Sequence, residues 1–186
     1  MNARKPALIA VDGVTGPAVT AAARTALTSI DRATRSGISH WDASGVFEEL
    51  AVAEAEAGRP SIRTLLLLYA ADLAFRLRWE IRPALAEGQS VVAAPYIDTA
   101  IAFGRAAGLG SAWLANLFLF APKPTKRHVV EAKGTRAGRG DGGFVEFGCA
   151  RLTAAPNRAL RAALADRTAA HLRAAARRRG LRVVKI

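Results

Sequence analysis

The sequence predicts an α/β fold, specifically a three-layer α/β/α sandwich with about five parallel strands. Two observations support this. Short apolar runs alternate along the chain with longer helical patterns, and that alternation is typical of strand–helix–strand units in a parallel sheet. The 186 residues also suit a single domain spanning 1–186, because neither an internal repeat nor a long linker divides them.

Strands are expected where short apolar runs are bounded by turn residues. The predicted strands cover 7–11, 90–94, 127–131 and 181–186, with a short extended segment over 37–41. Helices are expected over 18–30, 45–57, 61–87, 97–107, 111–120 and 159–179. Ser44 can cap the second helix, and Pro83 can kink the third. The first half of that third helix is apolar all round, which indicates a helix buried on several sides or lying in a subunit interface.

The chain is strongly basic, with 27 Lys and Arg against 15 Asp and Glu and a net charge of +12. Such a balance is compatible with nucleic-acid binding. However, the positive charge is spread out and clusters only near the C-terminus, over 173–182, and aromatic and basic residues are not interleaved in the manner of a single-strand-binding sheet. We therefore do not expect a nucleic-acid partner.

The apolar segments also bear on the compartment. No stretch of about 18 apolar residues is free of charge, so no membrane span is expected. The first apolar run has five residues, too few for the core of a signal peptide, and this favours a cytoplasmic protein. The single cysteine, Cys149, excludes an internal disulfide and is expected to pack as a small hydrophobe. Neither H-x-x-x-H nor C-x-x-C spacing occurs, so no metal site is predicted.

One long stretch resembles a known family. The segment "LLLLYAADLAFRLRWEIRPALAEGQSVVAAPYIDTAIAF" is similar to the thymidylate kinase family of P-loop nucleotide kinases. The likeness rests on the apolar helix, the Ile81–Leu85 segment matching "I-x-P-A-L", and the segment 97–103 matching "[VI]-D-S-S-x-A-[YF]". It covers about residues 7–131 and implies a P-loop-kinase-like fold.

The phosphate loop implied by this resemblance is degenerate. Residues 13–20 lie where G-x-x-x-x-G-K-[ST] is expected, and of those four positions Gly13 and Thr20 match. Ala18 replaces the second glycine, and Val19 replaces the lysine that would contact the β and γ phosphates. Pro17 also removes one N–H donor from the loop.

The other phosphate contacts implied by the resemblance have changed as well. Ala94 and Pro95 stand in place of the Asp-Arg pair of the family's "D-R-[YF]" motif. Trp41 stands in place of the arginine of an "R-E-P" loop, and Leu73 replaces an arginine on the apolar helix. Because phosphoryl transfer depends on such cations and on Mg²⁺, we expect neither ATP nor Mg²⁺ as a cofactor. The chain is predicted to be a pseudokinase.

If the cleft persists, it is lined mostly by apolar and aromatic residues and would suit an uncharged or cationic aromatic ligand. The residues expected to bind such a ligand are Asp12, Thr15, Thr20, Trp41, Tyr69, Leu73 and Tyr96. Alternatively, Trp41 and Leu73 fill the vacated space and close the cleft.

Three residues are candidates for catalysis: Asp98, His40 and Asp42. Asp98 could equally cap the helix that begins near Thr99, and His40 could be a polar strand residue. The Gly/Arg loop over 133–143 corresponds by position to the family's lid. Its Arg136 and Arg139 could bind an anion, or the loop could simply be solvated.

Three functions remain open. The first is a protein that has lost phosphoryl transfer and binds a non-polyphosphate small molecule or a protein partner. The second is an enzyme with different chemistry on the same scaffold, as in specialised metabolism, and the third is residual nucleoside monophosphate kinase activity. The resemblance also implies a homodimer through helix 61–79, with Leu66, Tyr69, Leu73 and Leu77 near the interface or the pocket.

Overall fold

The computed structural model describes residues 5–132, 142–152 and 157–186. Its strands are β1 (Leu8–Gly13), β2 (Arg35–His40), β3 (Ser90–Ala94), β4 (Lys126–Glu131) and β5 (Val183–Lys185). They form one sheet in the order β2-β3-β1-β4-β5, and every neighbouring pair is parallel. The prediction of a five-stranded parallel sheet in an α/β fold is confirmed.

The described helices are α1 (Gly16–Thr28), α2 (Val46–Ala57), α3 (Ile62–Arg76), α4 (Arg82–Ala86), α5 (Ile97–Ala106), α6 (Ser111–Leu117), α7 (Phe144–Leu152) and α8 (Arg158–Arg178). Five residues of π-helix, Leu77–Ile81, join α3 to α4. The predicted helix 61–87 is therefore three successive segments, and its irregular turn lies before Pro83.

The core lies on both faces of the sheet, because successive residues of a strand point to opposite sides. On one face, Ile9 and Val11 pack against α1. On the other face, Leu8 and Ala10 pack against α3, α5 and α7, and α8 packs against α5 and β4. The result is a three-layer arrangement in which β1 and β3 are buried along their whole length.

Two local predictions are wrong. Helix α7 was not anticipated, because it is short and follows a glycine-rich loop whose residues 133–141 lie outside the described part of the chain. Ser44 is not the main cap of α2, since its Oγ is 3.5 Å from the N–H nitrogen of Val46. Asp42 caps α2 instead, because its Oδ1 accepts a hydrogen bond of 2.9 Å from Phe47 N.

The sheet order determines where a site can form. The chain leaves β1 toward the β2 edge, whereas after β3 it crosses to the opposite side of β1. Connections that diverge in this way open a crevice at the carboxyl ends of the two neighbouring strands.

Candidate functional site: a cleft at the carboxyl ends of the central strands

A cleft of about 290 Å³ opens in this crevice. Four segments line it: the loop after β1, the turn after β2, the end of β3, and the start of α7. The lining residues are Gly13, Val14, Thr15, Gly16, Val19, Thr20, His40, Trp41, Asp42, Ala94, Pro95, Gly142, Gly143 and Phe144. Among these described residues there is no lysine or arginine.

The loop after β1 is tightly packed at its start. A Cβ on Gly13 would lie 2.8 Å from Cγ2 of Val19 and 3.0 Å from the carbonyl oxygen of Val130, so no larger residue fits without movement. Val19, at the position that the resemblance assigns to the lysine of a working phosphate loop, is buried and packs with the core beneath α1. The space that a lysine side chain would cross is therefore filled by an apolar one.

The N-terminus of α1 is capped by a residue from far along the chain. Thr15 makes no side-chain capping bond, and its Oγ1 is buried without a hydrogen-bond partner in the described structure. Instead, Oε2 of Glu146 accepts a bond of 3.0 Å from Gly16 N. The same oxygen accepts a bond of 2.7 Å from Gly143 N, at the start of α7. Sequence reasoning missed Glu146. A Gly-x-x-Glu pattern before a helix, as in a capping box, was the available signal.

The turn after β2 brings His40, Trp41 and Asp42 to the cleft. Asp42 has a φ of 61°, and its backbone N–H donates to Asp72 at 3.1 Å. Burial raises the pKa of Asp42 above its usual range, although its hydrogen bond from Phe47 opposes the shift. Burial, followed by the positive charge of Arg76, lowers the pKa of His40.

Trp41 narrows the cleft without closing it. Its ring packs against Phe47, with centroids 5.2 Å apart, and against Phe147 at 5.6 Å. Phe144 lies edge-on to it at 6.1 Å. One wall of the cleft formed by the described residues is thus aromatic, whereas Leu73 is buried and does not line it.

Asp12 is buried beneath the cleft and does not line it. Its Oδ1 accepts hydrogen bonds from the backbone N–H groups of Tyr96 and Thr99 and from Thr99 Oγ1, at 3.0, 2.9 and 2.8 Å. This carboxylate therefore caps α5. Burial, reinforced by the nearby charge of Asp98, raises the pKa of Asp12 to about 7.

Asp98 is not the helix cap that one interpretation expected, because Asp12 accepts the bond from Thr99 N. Asp98 instead forms ion pairs with Arg127, at 3.0 Å, and with Arg179. It is buried and absent from the cleft lining, so the structure does not bring it together with His40 and Asp42.

The predicted ligand-binding residues fall into two groups. Thr15, Thr20 and Trp41 line the cleft. Tyr69, Leu73 and Tyr96, like Asp12, are buried in the core and do not line it. Tyr69 donates through its hydroxyl to the carbonyl oxygen of Tyr96 at 2.6 Å, and Tyr96 donates in turn to that of Pro122 at 2.8 Å. Burial raises the pKa of both tyrosines, so their hydroxyls serve as structural donors.

A buried ion pair lies behind the turn after β2, and sequence reasoning missed it. Arg76 and Asp72 are both fully buried on α3, with NH1 and Oδ2 separated by 3.7 Å. Arg76 also donates to Ser39 Oγ, to the Ser39 carbonyl and to the Pro95 carbonyl. It thereby ties α3 to the ends of β2 and β3. The i, i+4 spacing of opposite charges in an otherwise apolar helix was the signal.

The described residues show neither a metal-binding cluster nor a helix that could span a membrane. In residues 5–132, 142–152 and 157–186, no group of three or more His, Cys, Asp or Glu side chains is arranged to hold a metal ion. Over the same ranges, none of the helices is both long enough and apolar enough to cross a membrane.

The sheet order and the loop between β1 and α1 define a protein of the P-loop-kinase-like α/β fold. The crystal structure of thymidylate kinase from Ehrlichia chaffeensis superposes with a TM-score of 0.65 at 13% identity, covering 97% of this chain and 86% of that one. At that identity the match is evidence for the fold alone.

Sequence matches point to the same family. The chain is 36% identical over 69 residues to a probable thymidylate kinase of Pyrococcus abyssi, covering 37% of this chain and 34% of that protein. It is 41% identical over 58 residues to a probable thymidylate kinase of Pyrococcus horikoshii, covering 31% and 28%. The matches thus span about a third of these relatives' length. No established family profile matches the chain. Together, the fold and the two relatives support a thymidylate kinase-like family.

Proposed function

We propose that this thymidylate kinase-like protein does not transfer phosphoryl groups and that its cleft binds an uncharged or cationic aromatic small molecule. The observation that carries the proposal is the lining of the cleft. Trp41 supplies aromatic surface and Asp42 supplies a carboxylate, whereas the described lining residues include no lysine or arginine.

The charge of the site argues against polyphosphate. Stabilisation of a transferring phosphoryl group comes mainly from cations and backbone N–H donors. Here Val19 fills the place of the loop lysine, and the carboxylate of Glu146 holds the N–H of Gly16. The fully buried Arg76 is engaged with Asp72, Ser39 and Pro95. An aromatic ligand without negative charge requires neither a cation nor these N–H donors.

Thermal unfolding tests the proposal. The probes are ATP–Mg²⁺, dTMP, thymidine, and a library of uncharged aromatic compounds and aromatic amines; thymidine and dTMP differ only by a phosphate. A compound present at about a hundred times its dissociation constant stabilises the fold by ~2.7 kcal/mol, which raises Tm by several degrees. We expect such a shift from an aromatic compound without phosphate. A shift with ATP–Mg²⁺, accompanied by formation of ADP in the presence of dTMP, would refute the proposal.

Tryptophan fluorescence locates the ligand. Trp41 lines the cleft, whereas Trp79 is 63% exposed on the π-helical segment away from it. In the wild type, a compound bound in the cleft should change the Trp41 emission. The Trp41→Phe variant should lose that signal, and the matched Trp79→Phe variant should keep it.

One observation favours the alternative of an enzyme with other chemistry. His40 and Asp42 line the same cleft, and the pKa of His40 is lowered while that of Asp42 is raised. A neutral histidine and a carboxyl group that line the same cleft can each move a proton to or from a bound molecule. If this alternative holds, a compound found by thermal unfolding should be converted by the wild type, with loss of turnover in His40→Gln and retained binding.

We further propose a homodimer through α3 and the adjoining π-helical segment. The residues first expected near the interface or pocket, Leu66, Tyr69, Leu73 and Leu77, are buried within the protomer. The exposed face instead carries large apolar side chains at multiples of four residues: Leu67, Phe75 and Trp79, which are 53%, 39% and 63% exposed.

Apolar side chains exposed in such a row are typical of an interface. Sedimentation should show a dimer for the wild type and a monomer for Trp79→Asp. The control is Leu119→Asp, which makes an equally large change at a residue 76% exposed elsewhere on the surface.

A further inference from the structure

We infer that Glu146 determines the charge preference of the cleft, because its carboxylate occupies the backbone N–H groups that would otherwise bind an anion. This inference rests on the proposed function, since it names the residue that excludes phosphate. The contact on which the inference rests joins Gly16 and Glu146, which are 130 positions apart in the chain.

Two helix N-termini converge on one carboxylate oxygen. Oε2 of Glu146 accepts from Gly16 N, the first residue of α1, and from Gly143 N, the residue before α7. The N-terminus of each helix carries a partial positive charge and N–H groups without partners inside the helix. Such ends bind phosphate and carboxylate groups alike. In this protein the anionic group at the two helix ends is the carboxylate of Glu146, a residue of the chain itself.

The backbone geometry holds this carboxylate in place. A Cβ on Gly143 would lie 3.0 Å from both the nitrogen and the Cα of Gly16, so the two backbones are in direct contact. A Cβ on Gly142 would lie 2.8 Å from Cβ of Glu146. Glycine at position 143 therefore allows the start of α7 to lie on the loop after β1, and glycine at position 142 leaves room for the Glu146 side chain.

The packing of Phe144 also fixes the position of α7. Phe144, two residues before Glu146, is buried against Tyr69 with ring centroids 4.4 Å apart, and against Phe47 and Phe103. Helix α7 is thus anchored by its aromatic residues while its acidic residue reaches the loop. An incoming anion would have to displace a carboxylate that is already anchored, and would be repelled by it. A neutral or cationic molecule would not.

The test compares the wild type with Glu146→Ala and Glu146→Gln, using sodium pyrophosphate as the probe in calorimetric titrations. Alanine removes both the charge and the acceptor, whereas glutamine keeps an acceptor oxygen and removes the charge. We expect Glu146→Ala to bind pyrophosphate at least about tenfold more tightly than the wild type, with Glu146→Gln in between. The matched controls are Glu49→Ala and Glu49→Gln, on an exposed position of α2, which should leave the affinity unchanged.

Each other outcome is informative. If Glu146 only stabilises the fold, both variants will unfold at lower temperature with no gain in pyrophosphate affinity, and the inference is overturned while the proposed function stands. If Glu146→Ala does not fold, the Gln variant decides, since it preserves the shape of the side chain. If the wild type already binds pyrophosphate as tightly as the variants do, both the inference and the exclusion of phosphate in the proposed function are wrong.

Discussion

Replacing Asp12 by asparagine should change how the stability of the protein depends on pH. Asp12 is 1% exposed, and its Oδ1 accepts three hydrogen bonds from Tyr96 and Thr99. Asparagine keeps an oxygen at this position, so the cap on α5 can be retained while the ionisable group is removed. The variant therefore isolates the contribution of the carboxyl proton.

The direction and size of the effect follow from the pKa of Asp12. Burial raises this pKa from the usual 3.8 to about 7, so the folded protein holds the proton more tightly than the unfolded chain does. The resulting stabilisation is complete below pH ~4 and is lost as the pH rises through about 7. At 1.36 kcal/mol for each pH unit, the free energy of unfolding should fall by ~4 kcal/mol across this window.

Urea unfolding at half-unit steps between pH 4 and pH 8 measures the effect. His40 and His171 have lowered pKa values, and their protonation destabilises the fold on the acidic side. The useful quantity is therefore the difference in free energy of unfolding between the wild type and Asp12→Asn at each pH. That difference should decline as the pH rises, whereas for Asp166→Asn, an exposed control, it should stay flat. A difference that is constant or grows with pH would refute the reasoning about Asp12.

Two further predictions concern buried groups. Arg76→Met should lower the free energy of unfolding in urea by about 3–5 kcal/mol, because it leaves the buried Asp72 carboxylate without its positively charged partner. The double variant with Asp72→Asn should recover part of that loss, and a loss below ~1 kcal/mol in the single variant would contradict the role assigned to the ion pair. Burial raises the pKa of the Cys149 thiol to about 12. Alkylation of this thiol by iodoacetamide at about pH 8 should therefore be undetectable in the native protein and rapid in urea. Fast alkylation of the native protein would contradict the burial of Cys149.

The fold and the proposed change of site depend on different residues. The strands around the loop, their parallel pairing and the core beneath α1 form the sheet of a P-loop-kinase-like fold. What our proposal takes to differ from a working phosphate loop is the set of charged groups at the carboxyl ends of the strands. Because fold and site depend on different residues, a P-loop-kinase-like sheet does not by itself imply kinase chemistry.

Residue patterns alone identified much of this arrangement. Apolar runs located four of the five strands, because a strand buried in a parallel sheet needs a short continuous hydrophobic segment. The strand β2, with the sequence RSGISH, carries no such run and was expected only as a short extended segment over 37–41. The resemblance to a phosphate loop assigned residues 13–20 to the segment after β1 and predicted that Val19 stands at the position of the lysine. It also placed Trp41 and Asp42 in the loop after the second strand, and both residues line the cleft.

Tertiary structure decided which groups meet. Tyr69 and Leu73 were expected to line the cleft and are buried, because the packing of α3 against α5 and α7 covers the face that carries them. The cap of α1 comes from Glu146, and the cap of α5 comes from Asp12. Hydrophobic periodicity is a local property and can be read within a few turns of chain. The partner of an exposed helix end or a buried carboxylate depends on how distant elements dock, and no local pattern specifies that.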